Sequence, residues 1–383
     1  MKITNDVLYV GVDDHKVDLF EGQYDVPNGM AYNSYVIMDE KITIMDSVDA
    51  NFKDEWLNNI KNAIKDKKPT YLVVLHMEPD HSANIIEFLK EYPETIVVSN
   101  AKSFKIIEQF FNVTIENKLE VKDGDLLELG KHTLKFVAAP MVHWPEVMLA
   151  YDTYDKILFS ADAFGKFGAN DYDDPEGWAC EARRYYFGIV GKYGAQVQAV
   201  LKKLAGVELK HICSLHGPIL SDNLDYYLNI YDTWSKYESE TKGVFIAYAS
   251  AYGNTAKAAH LLEEELKKAG VKVAIADLAR EDIHESVEDA FRYDRIVLAT
   301  ITYNGTIFPI MDYFISLLTE RGYQNKKIGI IENGSWAPMA AKVIQSKFEK
   351  SKNITFVEPV VKILSAPNDN TLTTIKELAN NLK

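Results

Sequence analysis

The C-terminal part of the chain alternates unbroken apolar runs with stretches whose apolar positions recur at helical spacing. The runs 244–249, 271–278, 295–300, 327–332 and 357–363 read as buried strands. Helical patterns fill 256–269, the region near 288, 310–318, and the stretches from 338 and from 372. This alternation predicts a doubly wound parallel sheet of about five strands. The N-terminal part has a different rhythm. Residues 33–49 (NSYVIMDEKITIMDSVD) are two alternating runs about a polar turn, a hairpin. Helical stretches 54–65, 82–91 and 101–111 interleave with strands 71–75 and 95–99. Residues 119–160 are almost wholly strand-like, with hairpin turns at Asp123-Gly124, Gly130-Lys131 and 152–155. Hairpins mixed with helix-connected strands suggest two sheets face to face with helices outside. A last helical pattern over 222–240, carried by Leu224, Tyr227, Leu228, Tyr231 and Trp234, ends in a charged turn with Gly243. The pattern therefore divides the chain into modules 1–243 and 244–383.

Composition narrows the class. The 383 residues are 47% hydrophobic and 26% charged, with no apolar run long enough to span a membrane. The N-terminus lacks the basic start and apolar stretch of a secretory signal, so a cytoplasmic location is expected. Cys180 and Cys213 have no C-x-x-C partners, which excludes a sulfur-ligated metal site and a disulfide framework. The net charge of −14 argues against gripping nucleic acid. Its distribution says more: residues 244–383 hold 17 basic and 17 acidic residues, so all the excess of acid precedes residue 244.

That acidic module carries a dense donor cluster. Strand 71–75 runs into His76, Met77, Glu78, Pro79, Asp80 and His81. In an extended segment His76, Glu78 and Asp80 project to one side, and Pro79 is expected to keep the segment from closing into a helix. Unpaired carboxylates at the end of a buried strand are costly without a cation. His143, Asp162 and His216 follow the apolar runs FVAAPMV, ILFSA and HICSL. Seven imidazole and carboxylate donors without thiolate suit iron, manganese or zinc, and are enough for two metals sharing a carboxylate. His15, His132, His211, His260 and His284 lack such neighbours and read as structural or exposed.

The second module supplies polar loops at three strand ends. Ser250, Ala251, Tyr252, Gly253, Asn254 and Thr255 precede a helix and offer hydroxyl, amide and backbone N–H groups to an anion. The loop matches neither a dinucleotide nor a nucleotide-triphosphate motif. Thr302, Tyr303, Asn304, Gly305 and Thr306 form a second loop. Asn333, Gly334, Ser335 and Trp336 form a third.

The run H-x-E-x-D-H followed by separated His, Asp and His resembles the metallo-β-lactamase fold in the variant found in flavodiiron proteins. The three polar loops look like the phosphate-binding and ring-flanking loops of flavodoxin, which binds FMN. The resemblance covers essentially the whole chain. It implies a metallo-β-lactamase-like αββα sandwich followed by a flavodoxin-like doubly wound parallel sheet. Hydrolases of that fold usually carry H-x-H-x-D-H and bind zinc; Glu78 in place of the second His favours a harder metal such as iron. By resemblance His76, Glu78 and His143 would bind one iron and Asp80, His81 and His216 the other, with Asp162 bridging. Trp336 and Tyr303 would stack on the flavin, and Tyr193 would donate protons. The family reduces dioxygen to water, nitric oxide to nitrous oxide, or both. The resemblance also implies a cytoplasmic short form fed by an external rubredoxin-like donor, working as a head-to-tail homodimer or a dimer of dimers, with no nucleic-acid or membrane partner. The alternative is a zinc hydrolase fused to a flavodoxin-like electron carrier.

Overall fold

A computed structural model describes all 383 residues. The chain folds into two compact units: residues 1–186 with 195–232, and residues 187–194 with 233–383.

The first unit is built on two sheets. In the six-stranded sheet Val7–Tyr9, Tyr35–Ile37, Thr43–Met45, Tyr71–Val73, Ile96–Ser99 and Lys118–Glu120 lie side by side in chain order. The predicted hairpin is present, with Val36 opposite Ile44. From Thr43–Met45 onward the pairings are parallel, so their connections run through helices such as Lys53–Ile64 and Ala101–Phe111. The five-stranded sheet runs Leu126–Glu128, Thr133–Ala138, Met148–Asp152, Ile157–Phe159, His211–Cys213. Tyr35 of the first sheet meets Phe159 of the second at 5.5 Å between ring centroids, and its hydroxyl donates to the Ser214 carbonyl at 2.6 Å. Trp56 turns its helix inward onto this core, where its Nε1 donates to Ser34 Oγ at 2.9 Å.

Two local expectations are corrected. Pro79 does not keep its segment extended; it opens the short helix Pro79–Ser82. Proline fits the first helical position because the N–H it lacks would be unbonded there anyway. The turn at Asp123-Gly124 is not a hairpin either. Lys118–Glu120 pairs parallel with Ile96–Ser99, while Leu126–Glu128 pairs with Thr133–Ala138, so the chain passes from one sheet to the other there.

The second unit is a parallel sheet in the order Val273–Asp277, Thr241–Tyr248, Tyr293–Tyr303, Lys327–Asn333, Thr355–Ile363. By position in the chain that is 2-1-3-4-5, the flavodoxin-like order. The apolar face of helix Asn254–Lys268 (Ala258, Ala259, Leu262, Leu266) buries against Val244, Ile246 and Val297, with Ile375 and Leu378 of helix Asp369–Asn381 in the same core. Residues 187–194, drawn from earlier in the chain, belong to this unit. Phe187 stacks on Phe291 with centroids 4.0 Å apart, and Tyr237 Oη donates to the Gly191 carbonyl at 2.8 Å.

Candidate metal centre and flavin cleft

Strand register brings the metal donors together. Ile157–Phe159 and His211–Cys213 are parallel neighbours with Phe159 opposite Cys213. Asp162 and His216 each stand three residues past that pair, and His76 stands three past Val73. Parallel strands thus deliver their donors at one shared end. Two groups form, His76–Glu78–His143–Asp162 and Asp80–His81–His216, each with ligand atoms within 4.8 Å of one another.

Asp162 faces both. Its Oδ2 lies 3.2 Å from His76 Nε2 and 3.0 Å from His143 Nε2, and its Oδ1 lies 3.5 Å from His81 Nε2 and 3.9 Å from His216 Nε2. Glu78 Oε2 closes the first group at 3.2 Å from His76 and 3.1 Å from His143. Asp80 Oδ2 stands 3.3 Å from both His81 and His216 in the second, whose Nε2 atoms are 3.0 Å apart. His76 Nδ1 is held by Glu146 Oε1 at 2.8 Å, and His216 Nδ1 by the Ala31 carbonyl at 2.8 Å. Both rings therefore turn Nε2 inward, as metal-bound imidazoles do.

The electrostatics point the same way. Burial opposes ionisation of Asp162 and Glu78, yet the facing imidazoles outweigh it and hold both carboxyls below their usual range. Burial also opposes charging of His143, but Asp162 and Glu78 raise it to about 9. In the second group burial dominates at His81, which falls to about 4 despite Asp80, whereas at His216 Asp80 and Asp162 outweigh burial and raise the imidazole. Both carboxyl oxygens of Asp80 and of Asp162 are buried without a hydrogen bond. Orphaned buried carboxylates facing imidazole nitrogens describe a place that demands cations.

Three neighbours escaped the sequence reading. Glu146 accepts from His76 and from the Met77 N–H at 3.0 Å. Its only signal was an acid in an apolar run three residues after His143. Tyr185 and Tyr32 pack their rings 5.4 and 6.0 Å from His216; nothing in the sequence separated them from the other tyrosines. Tyr193 sits on the turn Gly191–Tyr193, within the stretch 187–194 that belongs to the second unit. Trp144 packs edge-on to His76 at 5.4 Å, and Phe167 meets Tyr185 at 5.1 Å.

In the second unit the three polar loops line one cleft of about 620 Å³. Gly253, at φ +86°, turns the chain into helix Asn254–Lys268, and its N–H donates to Ser250 Oγ at 3.1 Å. The left-handed φ suits glycine. Thr302 Oγ1 accepts from the N–H groups of Met339 and Ala340 at 2.8 and 3.2 Å, which joins the second loop to the third. A fourth loop, missed in the sequence, contributes Ser365, whose hydroxyl donates to Ser335 Oγ at 2.8 Å. Ser250, Tyr252, Asn254, Thr255, Thr302, Tyr303, Asn304, Gly305, Ser335 and Trp336 all line the cleft, and no Lys or Arg does. Tyr252 is 96% exposed and Trp336 83%. Two rings standing in water over a polar cleft suit a flat aromatic ligand with an anionic tail.

Fold and donor arrangement together define a β-lactamase-type unit followed by a flavodoxin unit, and comparison with known proteins agrees. Residues 30–217 match the ODP family beta lactamase and residues 245–354 match a flavodoxin domain. An uncharacterized protein of Methanocaldococcus jannaschii is 30% identical over 83% of this chain and 81% of its own length. An anaerobic nitric oxide reductase flavorubredoxin of Escherichia coli is 28% identical over 91% of this chain and 74% of its own. The chain also spans 62% of a putative diflavin flavoprotein of Thermosynechococcus vestitus. Rubredoxin oxygen:oxidoreductase of Desulfovibrio gigas superposes with a TM-score of 0.93 at 26% identity, covering 100% of this chain and 97% of that one. The chain belongs to the flavodiiron family and is an oxidoreductase. No helix is long and apolar enough to cross a membrane.

Proposed function

We propose that the chain reduces dioxygen to water, nitric oxide to nitrous oxide, or both, with a diiron centre in module 1–243 and FMN in module 244–383. The observation that carries this reading is Asp162, buried without a hydrogen bond and offering one oxygen to each donor group. His76, Glu78 and His143 would hold one iron and Asp80, His81 and His216 the other. Three carboxylates with four imidazoles form a hard, anionic set that favours iron. Ser250, Gly253, Asn254 and Thr255 would hold the flavin phosphate by hydroxyl and N–H groups, with Tyr303 and Trp336 against the ring.

When bound, the irons supply binding and reduction of a small diatomic, and FMN supplies electrons singly. The chain's own residues set the conditions. Glu146 fixes the His76 ring, Trp144 and Phe20 wall the site with apolar surface, and Tyr185 packs a buried ring beside His216. The reading includes Tyr193 as a proton donor, an external rubredoxin-like electron donor, a cytoplasmic setting and a head-to-tail homodimer.

The test is anaerobic reconstitution with ferrous iron and FMN, metal and flavin analysis, and rapid mixing of the reduced protein with each gas. Two irons and one FMN per chain with fast reoxidation are expected. His81→Ala should lose iron and turnover while keeping FMN. Full activity on an ester or lactam with zinc, and none on either gas, would overturn the reading.

A further inference from the structure

Away from those donors, three side chains of the first unit meet, two of them at the opposite ends of strands that lead to His143 and Asp162. His132 precedes Thr133–Ala138, whose far end leads to His143. Asp155 precedes Ile157–Phe159, whose far end leads to Asp162. Asp6 precedes the edge strand Val7–Tyr9 of the other sheet. The ligand atoms of Asp6, His132 and Asp155 lie within 4.8 Å of one another.

The imidazole is fully buried and rigidly aimed. His132 Nδ1 lies 2.8 Å from Asp152 Oδ2, and Asp152 is itself fixed by the N–H groups of Tyr154 and Asp155 at 3.1 and 3.2 Å. A carboxylate at that distance keeps a proton on Nδ1 and turns Nε2 toward the acids; burial opposes charging of the ring but Asp152, Asp155 and Asp39 outweigh it, so a cation at Nε2 displaces a proton. Nε2 is out of reach of solvent and has no hydrogen-bond partner, and Asp6 Oδ2 stands 3.6 Å away. Carboxylate behind Nδ1 and an open Nε2 in front is the arrangement of a metal-bound imidazole. On the acid side Thr4 Oγ1 donates to Asp155 Oδ2 at 2.5 Å, and the Lys131 ammonium pairs with Asp6. A surface cleft of about 720 Å³ bordered by Thr4, Asp6, Tyr154 and Asp155 gives access.

We propose that Asp6, His132 and Asp155 bind a divalent first-row cation, zinc best matching their donor set, which staples the N-terminal segment to the second sheet. One imidazole and two carboxylates with water in the fourth place form an ordinary tetrahedral zinc shell. Bond lengths of about 2.0–2.2 Å put such donors about 3.3 Å apart, so the gap between His132 and Asp6 closes by a few tenths of an ångström. Lys131 stands in for the cation until it binds. Its ammonium is already 4.8 Å from the Tyr154 ring, onto which it can withdraw.

The test uses the iron- and FMN-loaded full chain, stripped of loosely held metal and titrated with zinc. Zinc and iron are counted after gel filtration, and the melting temperature is recorded. The expected result is one zinc per chain without loss of iron and a melting temperature raised by several degrees. His132→Gln and, on the accessible rim, Asp155→Asn should weaken zinc at least tenfold and abolish the shift, with iron content unchanged. Lys131→Ala should tighten it. Equal zinc uptake by wild type and both ligand variants, uptake matched by released iron, or no uptake at all would overturn the proposal; in the last case His132 is simply a protonated bridge between Asp152 and Asp6.

Discussion

Glu146 shows how one side chain outside the ligand set controls a site. It accepts from both His76 Nδ1 and the Met77 N–H, which fixes the ring and the backbone of the ligand-bearing loop together. Glu146→Gln keeps the shape but removes the anion behind the ring. We expect iron affinity to fall about 10- to 100-fold, measured as iron retained against a chelator, with FMN content unchanged. Retention equal to wild type would refute that role. A second buried charge lies in the other unit. Lys326 donates to Ser239 Oγ and to the Phe291 and Tyr293 carbonyls at 2.5, 2.6 and 2.8 Å. Burial still pushes its ammonium down to about 7, opposed by Asp294 and Glu240. Above that pH the folded chain releases a proton that the unfolded chain keeps until its ordinary value of about 10.4. Stability tied to Lys326 is therefore lowest below pH 7 and rises with pH toward 10, by at most about 1.4 kcal/mol per unit. Urea titrations of Lys326→Met between pH 7 and 9.5 should show a shallower slope than wild type; parallel slopes would refute the shift.

At the scale of elements, what the sequence made legible and what it hid have separate causes. The five parallel strands and their helices were readable because strands buried on both faces become continuous apolar runs. The seven side chains that converge in the two donor groups were readable because buried strand ends have little reason to carry acids. Pairing partners were not: Lys118–Glu120 is exposed along its whole length, so no apolar face declares its sheet. Glu146 and Ser365 were hidden because their roles arise from contacts across the fold, Glu146 to His76 and Ser365 to Ser335. One element links packing to the site. Asn100 caps helix Ala101–Phe111 by accepting from the Lys102 and Ser103 N–H groups, and its Nδ2 donates to the Glu146 carbonyl at 2.6 Å. Asn100→Ala should cost about 1–2 kcal/mol and also loosen iron retention. Lost stability with unchanged retention would confine Asn100 to capping.

For the whole molecule, charge is the lever. The excess of acid precedes residue 244, and three of those acids (Glu78, Asp80 and Asp162) would face metal cations. We expect an acidic redoxin to dock on the neutral flavin half. The exposed Lys257→Glu variant should slow electron delivery several-fold at low salt and little at high salt; no change at low salt would count against it. The proposed head-to-tail dimer is open to a similar check, because a monomer by sedimentation that turns over at full rate would exclude it. The borrowed stretch 187–194 adds a constraint of another kind. The second unit completes its packing at Phe291 with a ring supplied from more than forty positions before its first strand. Gene fusion or recombination that joined the flavin half to a new neighbour at a single crossover would leave that ring behind. A crossover before residue 187 would instead carry the strand His211–Cys213 and His216 away from the first unit, so the two halves can be inherited separately only if something else comes to cover Phe291.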